Sequence, residues 1–178
     1  DVQSVDKQVI SIDMLVQKII PQVSYVISQV HSKRYLLRDL AREHILFDAN
    51  IKEVMVIGLS NFVKVSDRAT STKELGYGQH YSYIAPEVEK YGYSPASDYF
   101  SLGTLLLSII KGKNIIQDIS QDQFYEGLKE GKVPGIDVNH LKNTPLDMYS
   151  FEDRVSYLIF GLLLPDPNQR WGYGEIKC

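Results

Sequence analysis

The segment Leu37-Arg38-Asp39-Leu40-Ala41-Arg42-Glu43-His44-Ile45-Leu46 crowds reactive side-chain types into one short stretch. Asp39 either serves a site of chemistry or sits in a tight loop, hydrogen-bonded to backbone groups. Arg42 carries a guanidinium suited to an anion, set against the ordinary reading of a solvated surface arginine. His44 offers an imidazole, a ligand for softer metals than magnesium. Glu43 and Asp48 supply hard carboxylate oxygens close by in the sequence. Val56 has no oxygen to offer. His31, His44, His80 and Cys178 match no zinc spacing, so a transition-metal site is not expected.

Several elements must position this stretch. Before it, apolar residues from Leu15 through Ile19, Val23 and Ile27 to Val30 recur at helical spacing between Ile12 and His31. Ser11 or Asp13 is placed to cap that helix, and Pro21 predicts a kink or break within it. After it, Ile45–Phe47 and Val54–Ile57 are short β-type runs, with Asp48-Ala49-Asn50 as turn chemistry between them. Residues 60–82 read as a long surface loop. Its Ser66, Thr70, Ser71, Thr72, Tyr77, Tyr81 and Ser82 are candidates for phosphorylation, with Arg38 as a partner for the phosphate; a plain solvated loop is the other reading. Ser97–Lys111 reads as a helix capped by Ser97, apolar nearly all round and therefore buried, and closed by Gly112. Shorter helices are predicted over 120–130 and 151–164, and 175–178 starts a final helix. Residues 1–11 are polar and read as a tail or connector.

The motifs and their order resemble the protein kinase superfamily. Arg38-Asp39-Leu40 keeps the register of the H-R-D-L-x-x-x-N catalytic loop, with Leu37 in place of its His and His44 in place of its Asn. Val56-Ile57-Gly58 stands where D-F-G is expected, and only Gly58 matches. Tyr83-Ile84-Ala85-Pro86-Glu87 resembles the close of an activation segment. Ser97-Asp98-Tyr99-Phe100-Ser101-Leu102-Gly103 resembles the opening of a large central helix, and Asp166-Pro167-Asn168-Gln169-Arg170 resembles the late D-P-x-x-R.

What the resemblance implies is a fold with its chemistry impaired. Asp39 would be the catalytic base, which accepts a hydroxyl proton in a working kinase; here it is read as vestigial. The positions that hold magnesium in the family are His44 and Val56, so no metal site is expected. Ala41 stands where many Ser/Thr kinases carry a phosphate-contacting Lys. Gln79 and His80 replace the usual G-T, which argues against ordinary peptide-substrate docking. The structural positions are kept: Glu87 and Arg170 match an ion pair tying the activation segment to the late helices, Asp98 matches the acceptor for catalytic-loop backbone groups, and Arg38 matches the loop arginine. No G-x-G-x-x-G and no V-A-I-K occur.

The fold class expected is mainly α, within an α+β family fold: a kinase-like C-terminal lobe over 12–178, its helices around a buried central helix beside a small β-hairpin. The final helix reads as truncated and the N-terminal lobe as absent. A chain starting at Asp1 reads as an excised or processed piece. At 178 residues, with 44% hydrophobic and 23% charged residues, it is an ordinary globular domain. The net charge of −3 argues against nucleic acid or anionic membrane as partner, and no apolar run is long enough to span a bilayer. One cysteine, Cys178, leans toward a cytoplasmic or other reducing compartment. The function expected is that of a pseudokinase domain in protein binding, regulation or scaffolding. Its partner would be another protein or the missing N-lobe of the same chain, with no cofactor. Two alternatives stay open: a divergent Ser/Thr kinase using ATP, magnesium and Asp39, and a purely structural domain of a larger assembly.

Overall fold

The computed structural model describes residues 2–4, 10–48, 50, 53–65, 83–113 and 119–177. The architecture is mainly helical with small antiparallel sheets. It is built around α4 (Pro95–Lys111), whose residues from Ser97 to Ile109 are all buried. The apolar residues encircling this segment leave it no solvent face, so it serves as the core of the fold. Ser94, not Ser97, is the N-cap; Pro95 takes the first helical position, and the Ser97 hydroxyl accepts from the Ser94 N–H at 3.0 Å. Phe100 packs edge-on to Phe124 of α5 (Gln121–Lys129). On its other side α4 meets α6 (Phe151–Leu162) at Gly103, where a Cβ would stand 2.9 Å from Leu162 and Leu163 side-chain atoms. A side chain at this position would force the two helices apart.

The first helix is interrupted as Pro21 predicts, but upstream of the proline. Ser11 caps α1 (Ile12–Met14), accepting from the Met14 N–H at 3.2 Å. Residues Leu15–Ile19 then form a π-helical turn, in which the Ile20 N–H reaches back to the Leu15 carbonyl. Beyond it, α2 (Ile20–Ser32) has Pro21 in its first turn, where a missing N–H costs no ladder bond.

Strands β3 (Ile45–Asp48) and β4 (Glu53–Val56) form the expected antiparallel hairpin, with Ile45 opposite Val56 and Leu46 opposite Met55. Its turn is held in part by Asp48, whose carboxylate accepts the Asn50 N–H at 2.8 Å. Residues 1–11 were expected to be a tail or connector, but they contribute β1 (Val2–Ser4), paired antiparallel with β3. A second small sheet joins β2 (Tyr35–Leu36) to β5 (Val63–Lys64). The remaining α-helices among the described residues are α3 (Val88–Tyr91) and α7 (Tyr173–Lys177). Among the described residues no helix is long and apolar enough to cross a membrane.

Candidate functional site

The loop from Leu37 to His44 leaves β2 and is anchored from below by α4. Asp98, 1% exposed, accepts the Leu37 N–H and the Arg38 N–H at 2.9 Å each, and His31 of α2 donates Nε2–H to it at 2.8 Å. A buried carboxylate needs such donors, because water no longer supplies them. The bonds fix a backbone that is otherwise unfavourable: Arg38 has φ of +68°, in the left-handed region that non-glycine residues avoid. Its guanidinium lies 5.0 Å from the centre of the Tyr93 ring. Burial pushes the Tyr93 phenol up, with the Arg38 charge pulling the other way.

Asp39 follows directly. Its carboxylate accepts the side-chain amide of Asn61 at 3.0 Å. Its backbone carbonyl accepts Nδ1–H of His44 at 2.7 Å; a carbonyl cannot donate, so Nδ1 carries the proton. The same Nδ1 is 3.7 Å from the Asp39 carboxylate. His44 closes the turn Arg42–His44, and its backbone carbonyl receives the Ile57 N–H at 2.8 Å. Its ring fills the space beside Gly58, where a Cβ would lie 2.5 Å from Cδ2. Gly58 also has φ of +73°. Two independent constraints, the left-handed backbone and the imidazole, therefore require glycine at this position.

Val56 ends β4, half-buried, with Ile45 as its cross-strand partner. Arg42 was read as an anion ligand or a solvated side chain, and it is buried rather than solvated. It is 5% exposed, and Nη1 donates to the Ser108 carbonyl near the end of α4 at 3.1 Å, where the helix dipole favours a cation. Glu43 is exposed and Asp48 belongs to the hairpin turn. Among the described residues no group of three or more His, Cys, Asp or Glu is arranged to hold a metal ion.

Glu87 and Arg170 meet in a buried, two-pronged pair, with Nη1–Oε1 at 2.5 Å and Nη2–Oε2 at 2.9 Å. Arg170 also donates to the carbonyls of Leu164, Ala96 and Pro165, and its guanidinium packs over Phe100. One side chain thus joins the 83–87 segment, the start of α4 and the end of α6. Tyr125 adds a further tie, donating its hydroxyl to the Ile84 carbonyl at 2.6 Å; burial pushes that phenol up to about 12.

Asn61 was not singled out from the sequence, where a lone asparagine after a glycine turn carries no pattern. The phosphorylation candidates Ser66, Thr70, Ser71, Thr72, Tyr77, Tyr81 and Ser82, with Gln79, His80 and Cys178, lie outside the described residues.

Comparison with known families places this geometry. The protein kinase domain model matches residues 3–178. Calcium-dependent protein kinase 28 of Oryza sativa subsp. japonica is 26% identical over 157 residues, covering 86% of this chain and 27% of the relative. The Aurora kinase of Dictyostelium discoideum is 26% identical over 158 residues, covering 84% of this chain and 35% of the relative. The STE20-related kinase adapter protein strd-1 of Caenorhabditis elegans is 26% identical over 176 residues, covering 88% of this chain and 45% of the relative. The chain therefore spans less than half the length of each of these relatives.

Proposed function

The chain belongs to the protein kinase domain family, and on that premise we propose that it is the C-terminal lobe of a catalytically silent, pseudokinase-type domain that works by binding a protein. The observation that carries this is the donor set around Asp39. Magnesium requires hard oxygen ligands in near-octahedral geometry. Val56 has none, and His44 brings only imidazole nitrogens, which suit softer metals, with Nδ1 already donating to the Asp39 carbonyl. The residues do not fit the metal that the family's chemistry uses, so no phosphoryl-transfer step is derived through it.

The scaffold supports a retained structural role. Asp98 holds the loop, and the Glu87–Arg170 pair holds the 83–87 segment. Met55, Leu59 and Phe62, all following the hairpin turn, are exposed large apolar side chains of the kind that protein contacts cover. One relative is by name a kinase adapter. The partner is a protein surface or an N-terminal lobe, and the single cysteine fits a reducing compartment.

The runner-up is a divergent kinase with Asp39 as base, favoured by the Asn61 amide that orients the carboxylate. Phosphotransfer from labelled ATP by the full-length protein, compared with its Asp39→Asn variant, separates the two. The proposal expects equal background label. Transfer that Asp39→Asn abolishes, with its melting curve unchanged, would overturn it.

A further inference from the structure

A concavity with no lining residue from the Asp39 loop opens between the start of α2, the Tyr149–Phe151 turn, α6 and α7, with a volume of about 680 Å³. That lies within the range of about 300–1,000 Å³ found for small-molecule sites. Val16, Ile20, Val155, Leu158 and Ile176 give it apolar walls. Its polar groups are not equivalent. The Ser24 hydroxyl already donates to the Pro21 carbonyl at 3.1 Å, and the Tyr149 hydroxyl to the Leu141 carbonyl at 2.9 Å. Two cations remain, Arg154 and Lys177, and no carboxylate lines the pocket. Arg154 uses only Nε among the described residues, in a long 3.4 Å contact to the Tyr149 carbonyl. In a chain of net charge −3, a pocket lined by two cations and no acid is a local departure from the average surface.

We propose that this pocket binds an amphipathic monoanion: a small molecule with an apolar body, which fills the aliphatic walls, and one carboxylate, which pairs with Arg154 and Lys177. A planar guanidinium takes a carboxylate by two parallel hydrogen bonds, and the pairing is stronger at the edge of an apolar cavity than in open water. The Ser24 and Tyr149 hydroxyls are spent within the protein, and Tyr173 adds one neutral hydroxyl, so an alcohol gains no charged partner and a cation meets like charge. The site is independent of the Asp39 loop.

Calorimetric titration of the whole chain with straight-chain carboxylates, kept below their micelle-forming concentrations, tests this. Decanoate is expected to bind saturably at one site. Shortening it to nonanoate or octanoate should weaken binding about fourfold per methylene removed, the transfer value of roughly 0.8 kcal/mol each. Decan-1-ol, decylammonium, and decanoate on an Arg154→Gln/Lys177→Gln variant should each bind about tenfold or more weakly, as a lost charged hydrogen bond predicts. Leu158→Trp, which fills the cavity, should abolish binding; Ile176→Trp is the second filling variant, and melting curves show which of them is folded. Decylammonium binding as tightly as decanoate would overturn the proposal. So would unchanged decanoate binding in a folded filling variant. Binding of an acidic helical peptide without any binding of decanoate would also overturn it, by assigning the pocket to a protein.

Discussion

The imidazole of His44 occupies the volume in which any side chain at position 58 would begin, 2.5 Å from the place of a Cβ on Gly58. The two residues belong to different turns, Arg42–His44 and the one after β4, and the Ile57–His44 backbone bond of 2.8 Å keeps them together. A Gly58→Ala variant should therefore suffer twice, from the left-handed backbone and from overpacking. The expected loss is about 2–4 kcal/mol. Pairing it with His44→Ala removes the clash but not the strain. The double variant should then be more stable than the sum of the single losses, by an amount that denaturant melts of the four proteins measure. Strict additivity would separate the two residues and refute the contact.

Asp98 makes the second prediction. Asp98→Asn keeps the shape but turns one acceptor oxygen into a donor, facing either His31 and the Leu37 amide or the Arg38 amide. A loss of about 2–4 kcal/mol follows from leaving buried donors unpaired. Amide exchange should speed at Leu37 and Arg38 more than in α6. Exchange that stays slow at those two amides would show that the loop does not depend on the carboxylate.

For Arg170, the two-pronged geometry matters beyond the charge. Arg170→Lys keeps the positive charge but loses the fork to Glu87 and most of the carbonyl bonds. The expected cost is about 2–4 kcal/mol, close to that of breaking a buried pair outright. A variant within 0.5 kcal/mol of wild type, roughly the scatter of surface substitutions, would reduce the pair to a simple charge contact.

Asp153 gives a pH prediction. The His140 hydrogen bond at 2.8 Å, helped by Ser150, holds the Asp153 carboxyl below its usual range. A depressed folded pKa contributes stability above the unfolded carboxylate value, about 3.9, and loses it as pH falls through the folded value. His140→Ala should raise the Asp153 titration midpoint, followed by carbon NMR of the carboxyl. An unchanged midpoint would remove His140 as the cause.

Much of this arrangement was legible in the chain. Long apolar periodicity marked α4, and the shorter patterns over 120–130 and 151–164 marked α5 and α6. What escaped has physical reasons. Strands of two or three residues, such as β1, β2 and β5, carry no period of their own and exist only through their partners. Arg42 is buried against the usual habit of arginine, because the end of α4 offers it a carbonyl. The Asn61–Asp39 bond joins residues 22 apart through a fold that no local signal encodes.

The central claim is that the Asp39 loop has lost its metal chemistry, and thermal unfolding of the full-length protein with millimolar magnesium and ATP tests it most directly. Specific binding to the native state would raise the melting temperature by mass action, by several degrees for a domain of this size. The account predicts no magnesium-dependent shift in the wild type and none in Asp39→Asn. A magnesium-dependent stabilisation of several degrees that Asp39→Asn removes would contradict it.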